Sequence, residues 1–393
     1  MTASPERKGH LVALDSLRGI CATIVVVHHF NVASHLYGST IQRNGWMFVD
    51  FFFALSGFVI YYSYAHRLTE WRSCVPFMIK RFGRVWPLHV LILTILIAAE
   101  VAKSVTGYGA GGGHGAFGPQ MEVGMILPNL LLIQALGFDQ PSWNQPAWSI
   151  SVEFWTYGIF AALAVLAGRR LIPVATGIVI VCAVLIGAVF EQHLDVSSNY
   201  GIVRCLYGFM LGTCVANAFR RGWLKPLAGT IAEVAVTLAA VAILFAGNSA
   251  WSVLATPVFA LAIAVFANEG GVVSRALHAR PIERLGLWSY SIYMIHVPLI
   301  IIGFNRVLTV LATRTGGGTM TADLPGGQTV TAVRFASLWM GDLALLIFVA
   351  LVLTGAALSY RLVEAPWRDR FARLAATVAP GRRAAGGVRK DHV

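Results

Sequence analysis

The first apolar segment of this chain carries an arginine and a histidine at a spacing that could do chemistry. In LDSLRGICATIVVVHHF, Arg18 and His29 are eleven residues apart. At about 100° per residue this is roughly 20° beyond three full turns, so the two share one helix face, about 16 Å apart along the axis. An ionisable group inside a bilayer is costly and is read as functional by default. A guanidinium at one end suits an anionic ligand, and an imidazole at the other suits general-base or nucleophilic work. The plain alternative is that each side chain snorkels to its own interface.

A carboxylate at matching depth strengthens the case. Glu153 lies in WNQPAWSISVEFWTYG, about 9 Å inside the outer end of its segment, against about 7 Å for His29. A pairing of the two would orient the imidazole and raise its basicity. The competing reading is a structural buried ion pair, or a Glu bonded to a nearby Ser. At the start of a later segment, KRFGRVWPLH brings Lys80, Arg81 and Arg84 together. Such a cluster suits phosphates, through charge-assisted and partly bidentate bonds. Coenzyme A carries several phosphates on a long arm, although basic residues here also serve as a topology signal.

Further candidates are more evenly balanced. In VDFFFALSGFVI, Ser56 could hydrogen-bond a thioester, but small residues mid-membrane more often permit close helix packing. Asp50 in the same stretch, Trp148, Arg204 and His296 form a set of candidate substrate-binding residues. Arg204 could hold an anionic or polyhydroxylated acceptor or could simply snorkel. His296, with Ser289, Tyr290 and Tyr293 as polar neighbours in LWSYSIYMIHVPLI, could line a channel or be a hydrogen-bonded structural His. No metal-ligand spacing is present, and no metal is expected.

The elements that must position these residues are membrane helices. The 393 residues are 57% hydrophobic and 12% charged, about half the charged fraction of a soluble domain. The apolar residues cluster in runs near the length needed to cross a bilayer. Eleven apolar segments fall at roughly 12–34, 46–65, 85–103, 124–138, 147–167, 171–190, 201–219, 227–246, 250–267, 286–304 and 335–360. The fourth is short and carries Pro128 and Asn129, so it reads as re-entrant or interfacial. With that segment not crossing, most of the Lys and Arg fall on one side, as the positive-inside rule requires. The expected fold is an all-α integral membrane protein of about ten transmembrane helices plus one short re-entrant or interfacial helix, with both termini cytoplasmic.

Arg7 and Lys8 precede an apolar run, as in a signal peptide, but Asp15 and Arg18 interrupt it, so a retained first span is expected. Residues 1–375 form the expected membrane domain, and 376–393 a basic, disordered cytoplasmic tail. The stretches 107–118 and 305–334 are rich in Gly and do not look like folded domains. The net charge of +12 would suggest nucleic acid in a soluble protein; here the basic residues flank apolar runs, so the partner expected is the lipid bilayer and not nucleic acid. The five Cys show no CxxC spacing and read as small apolar residues. A proton-coupled transporter of a small polar or sugar-like solute is the alternative function, though no internal repeat is visible.

These motifs, in their order and spacing, resemble the acyltransferase-3 family of bacterial membrane O-acyltransferases. The resemblance runs from LDSLRG…HHF through FVDFFFALSGFVI, KRFGRVWPLH, PAWSISVEFWTYG, RCLYGFMLG and SYSIYMIH to VEAPWRDR. The family's signature of an Arg, ten residues and a His falls on Arg18 and His29, which selects His29 over His28. The resemblance implies a cytoplasmic acyl-coenzyme A donor (acetyl-CoA in the first instance) and a carbohydrate or glycoconjugate acceptor reached from the outer side of the bacterial inner membrane. It also implies roles for Glu153 and for Arg84 with its basic neighbours. The expected reaction places the coenzyme A phosphates on the basic residues at the inner face (Lys80, Arg81 and Arg84), runs the pantetheine arm past Arg18 with Ser56 a candidate partner for the thioester, and uses His29 as base oriented by Glu153. Direct transfer and a transient acyl-histidine both fit.

Overall fold

In a computed structural model the described residues are 11–107, 115–138, 142–197, 199–323 and 329–379. The helices run in chain order α1 (Val12–His28), α2 (Thr40–Asn44), α3 (Phe48–Tyr64), α4 (Trp71–Thr106), α5 (Ile126–Leu130), α6 (Ala147–Ala167), α7 (Leu171–Val184) and α8 (Gly201–Arg220). They continue with α9 (Thr230–Ala242), α10 (Ala255–Phe266), α11 (Val272–Leu277), α12 (Arg280–Leu299), α13 (Asn305–Arg314), α14 (Leu338–Ser359) and α15 (Ala365–Thr377). Among the described residues six helical stretches are long and apolar enough to cross a bilayer, and two shorter apolar ones cover Thr230–Ala246 and Ala250–Phe266. The protein is therefore a mostly helical membrane protein. The expected tail lies largely outside the described residues, as does most of the 107–118 stretch.

Two helix pairs organise the interior, α3 with α8 and α1 with α12. Both depend on small residues at the crossing. A Cβ on Gly57 would strike the Phe209 carbonyl, and one on Gly286 would strike the Asp15 carbonyl. Without a hydrophobic drive between helices in lipid, close backbone approach through such residues supplies the association energy. The two readings of Ser56-Gly57 thus separate: Gly57 packs against α8, while Ser56 turns to the adjacent α6 and bonds Glu153.

Helix α4 has 36 residues, a length of about 54 Å, more than the roughly 30 Å hydrocarbon core requires. Its first turns, which carry Lys80–Arg84, pack on α15, with Gly83 against the Phe371 side chain. The stretch expected as a short re-entrant helix is a 3-10 turn (Val123–Met125) and the five-residue α5, followed by irregular backbone. Its carbonyls are taken up by side chains of the flanking helices. Trp86 Nε1 donates to Leu130 O at 2.9 Å, and Ser151 Oγ and Trp155 Nε1 donate to Leu132 O at 2.7 and 2.9 Å. Non-helical backbone at membrane depth persists only when satisfied in this way.

Two expectations change. The first segment does not stay helical to residue 34, because α1 stops at His28 and His29 is its C-cap. The all-α description also needs one addition: the 305–334 stretch is not a plain loop but contains α13 and an antiparallel hairpin of β1 (Gly318–Asp323) and β2 (Thr329–Arg334). Strand β2 also pairs with the chain leaving α1. Ala33 N donates to Val333 O at 2.8 Å, and Val333 N donates to Asn31 O at 3.0 Å. Alternating Thr and Val in β2 (TVTAVR) gives the period-two pattern of a strand with one buried face.

Candidate active site

A cavity of about 910 Å³ opens among α1, α3, α4, α6, α12 and the 360–372 region. It is lined by Arg18, Lys80, Arg81 and Arg84, together with Ser56 and Glu153. All seven expected catalytic and donor-binding residues except His29 therefore meet in one space. They do not do so equally. Arg18 is anchored by Ser289 Oγ at 2.7 Å, Gly286 O at 3.0 Å and an ion pair with Asp15 at 3.1 Å. Arg81 donates to Tyr64 OH at 3.2 Å and lies over the rings of Tyr64, Phe77 and Tyr157. Arg84, by contrast, has no hydrogen-bond or ion-pair partner among the described residues, and shares the cavity with Glu364, Tyr157 and Glu153. An unpaired guanidinium in an internal cavity is a ready anion site.

The expected pairing of His29 with Glu153 is absent. Glu153 Oε1 accepts from Ser56 Oγ and from Tyr157 OH, the latter at 2.6 Å. Both donors are local, since Tyr157 is one turn along α6 and Ser56 faces α6 across the α3 contact. His29 instead lines a separate cavity of about 170 Å³ at the C-terminal end of α1. Its Nδ1 lies 3.0 Å from Val25 O and 3.3 Å from His296 Nε2. The ring centroids of His29 and His296 are 4.9 Å apart, and those of His296 and Tyr293 are 5.9 Å apart. Tyr293 borders the large cavity, where its hydroxyl donates to Pro146 O at 3.0 Å and lies 2.8 Å from Ser149 Oγ. Two cavities thus approach each other across Tyr293, His296 and His29.

A backbone carbonyl supplies the orienting bond expected of the carboxylate, without its charge. A proton on His29 Nδ1 is held by Val25 O, which fixes the tautomer with a lone pair on Nε2. Nε2 has no hydrogen-bond partner among the described residues, and His29 lines the smaller cavity. An imidazole in this state is competent as a general base or nucleophile.

The remaining substrate-binding candidates have other duties. Arg204 Nη2 pairs with Asp50 Oδ2 at 2.7 Å, and its Nε reaches both carboxylate oxygens at 3.1 and 3.2 Å. The other donors go to Val196 O and Trp46 O, and the guanidinium lies between Trp46 and Trp148. Asp50 and Arg204 are 0% and 2% exposed, so neither offers a face to an acceptor. The isolated Arg204 read from sequence has its partner in a distant segment. His296, fully buried, touches His29 and not open space. Residues that sequence reasoning passed over are Tyr157 and Glu364, while Tyr293 entered it only as a polar neighbour of His296. Tyr157 is four residues from Glu153 and Tyr293 three from His296, the spacings that share a helix face. Glu364, buried and accepting from Ser291 Oγ at 2.9 Å, stood inside the quoted VEAPWRDR motif. Among the described residues no cluster of His, Cys, Asp and Glu could hold a metal.

Comparison with known proteins identifies the family. The acyltransferase-3 family model, described as an acyltransferase domain, matches residues 11–362. The acyltransferase MdmB of Streptomyces mycarofaciens is 26% identical over 92% of this chain and 92% of its own length. The peptidoglycan O-acetyltransferase OatA of Listeria monocytogenes is 22% identical over 74% of this chain and 49% of its own. A Rhizobium radiobacter protein named protein 2 in the picA locus is 35% identical over 27% of this chain and 53% of its own. No solved structure matches. The chain belongs to the acyltransferase-3 family and is a membrane O-acyltransferase.

Proposed function

We propose that this acyltransferase-3 member moves an acyl group, in the first instance acetyl, from cytoplasmic coenzyme A to a hydroxyl of a carbohydrate or glycoconjugate outside the bacterial inner membrane. The observation that carries the reading is the pair of cavities at opposite ends of α1. One is large and basic, with Arg84 unpaired; the other is small and holds His29. Arg18 and His29, at their respective ends, are about 16 Å apart along the axis. Ten spans with both termini cytoplasmic would put the basic cavity inside and His29 outside, in keeping with the positive-inside rule. The name of the Listeria relative, a peptidoglycan O-acetyltransferase, supports a glycan acceptor.

In this mechanism Arg84, Lys80 and Arg18 hold the coenzyme A phosphates, and the pantetheine arm runs up the large cavity beside α3 and α6. Ser56, Glu153 and Tyr157 line its path. The thioester reaches His29 past Tyr293 and His296, whose side chains must move aside. His29 Nε2 takes the proton of the acceptor hydroxyl, whose oxygen attacks the thioester carbonyl carbon. The C–S bond breaks, the imidazolium returns its proton to the leaving thiolate, and an ester and free coenzyme A result. Transfer through a transient acyl-histidine gives the same balance.

Titration of purified protein with acetyl-CoA tests the donor half. Arg84→Ala is expected to weaken binding by about 10- to 100-fold, the equivalent of one charge-assisted hydrogen bond of about 1.5–3 kcal/mol. Arg81→Ala should lose less, because that side chain is already engaged with Tyr64 and its aromatic neighbours. Unchanged affinity in Arg84→Ala would reduce the cluster to a topology signal. The orientation has its own check. Accessibility reporters placed after Gln120 and after Gln145 should both read the outer side; a cytoplasmic signal from the second would overturn the ten-span arrangement.

A further inference from the structure

The geometry points to the small cavity beside His29 as the acceptor site, built for a single uncharged, polyhydroxylated ring. This rests on the O-acyl transfer reading above and adds where the acceptor binds and what chemistry it must have.

The walls come from three elements. The chain leaving α1 contributes His29, Asn31 and Val32; the residues around the start of α13 contribute Ile300, Phe304, Asn305 and Leu308; β2 contributes Val330 and Thr331. None of the described lining residues is Lys, Arg, Asp or Glu, in contrast with the basic cavity at the other end of α1. A charged acceptor would lose hydration here with no counter-charge in return. Two amides and a hydroxyl, from Asn31, Asn305 and Thr331, can exchange hydrogen bonds with sugar hydroxyls. Phe304, Ile300 and Val32 offer apolar surface to ring CH groups. A volume of about 170 Å³ is the space of about six water molecules. That admits one ring and leaves the rest of a glycoconjugate outside.

The site is also preformed, as specificity requires. Strand β2 is stitched to residues 31–33 by two backbone hydrogen bonds. Two residues beyond that pairing, His35 N and Nδ1 bond the Asp342 carboxylate at 3.0 and 2.5 Å. At Gly341, a side chain would collide with the Ala33 carbonyl. The hairpin therefore stands as a fixed wall of the cavity that His29 also lines, and its residues set which ring is accepted.

Photolabelling tests the site directly. The probe is a diazirine-bearing alkyl glucoside, with glucuronide and glucosaminide versions as charged counterparts, and labelled peptides are mapped by mass spectrometry. The neutral probe should label segments 29–32, 300–308 or 330–331, with the charged probes weaker by about tenfold or more. Thr331→Trp and Asn305→Trp fill the space from opposite walls at exposed positions. Each should cut labelling by about tenfold while acetyl-CoA affinity stays within about twofold, the sign that the fold is intact. Labelling that maps elsewhere, or that persists undiminished in both Trp variants, overturns the proposal. Ester formation on the glucoside is measured in parallel. Ester without labelling of these segments sinks the site and keeps the reaction; labelling without ester sinks the reaction and keeps the site.

Discussion

His29→Ala is expected to lower the rate of acyl transfer by at least about 10²- to 10⁴-fold, the range supplied by a positioned general base, while acetyl-CoA binds as before. The donor contacts lie at the far end of α1, about 16 Å away along its axis, so the two halves of the reaction should separate cleanly in kinetics. A fall in kcat with an unchanged donor Kd is the expected signature. His28 is the internal control. Its Nδ1 is 2.8 Å from Gln42 O, and it meets the His29 ring edge-on without lining the smaller cavity. His28→Ala should therefore retain most of the activity. Transfer at near wild-type rates by His29→Ala would remove the base and nucleophile roles together.

The same assay reassigns Glu153. With His29 held by the Val25 carbonyl and His296, loss of the Glu153 charge has no direct route to the imidazole tautomer. Its bonds to Ser56 and Tyr157 put it on the wall of the large cavity, the one proposed for the donor. Glu153→Gln should act on donor affinity before it acts on the chemical step. In the proposed mechanism the positioning role falls to His296, which contacts His29 Nδ1, and its replacement should lower kcat with little change in donor affinity.

Local pattern and spacing made much of this arrangement legible. The basic run 80–84 and the apolar segments are each properties of a single helix, and composition and a period of 3.6 residues reveal them; the Arg18–His29 face runs one residue past the end of α1, with its two side chains lining separate cavities. What pairs across helices was not legible. Glu153 and His29 have matching depth, but depth says nothing about which neighbour an α6 side chain faces. That is decided by Gly57, which draws α3 onto α8 and leaves Ser56 toward α6. The stop of α1 at His28 was hidden because the sequence stays apolar beyond it, through Phe30 and Val32; the backbone there bonds β2 instead of continuing the helix. The hairpin itself was masked by its flanking glycines, which read as a loop.

Breaking the Asp50–Arg204 pair from one side is expected to destabilise the protein by about 3–5 kcal/mol, the cost of leaving an uncompensated buried charge. Sequence reading had made both residues candidates for acceptor binding, and the two roles predict opposite outcomes. The pair is bidentate, and Arg204 spends its remaining donors on the Val196 and Trp46 carbonyls between two Trp rings. In Asp50→Ala the guanidinium would lose its counter-ion while staying enclosed; in Arg204→Ala the carboxylate would lose three hydrogen bonds. Either single variant should unfold at markedly lower denaturant concentration or temperature. The double variant Asp50→Leu with Arg204→Met removes both charges and keeps much of the volume. It should recover most of the loss, since apolar replacement of a buried ion pair is often neutral or stabilising. Surviving double-variant protein should also acylate with an unchanged acceptor KM, because neither residue touches the smaller cavity beside His29. If Arg204→Ala instead folds with wild-type stability and shows a raised acceptor KM, the pair is a ligand site and the structural role assigned to it is wrong.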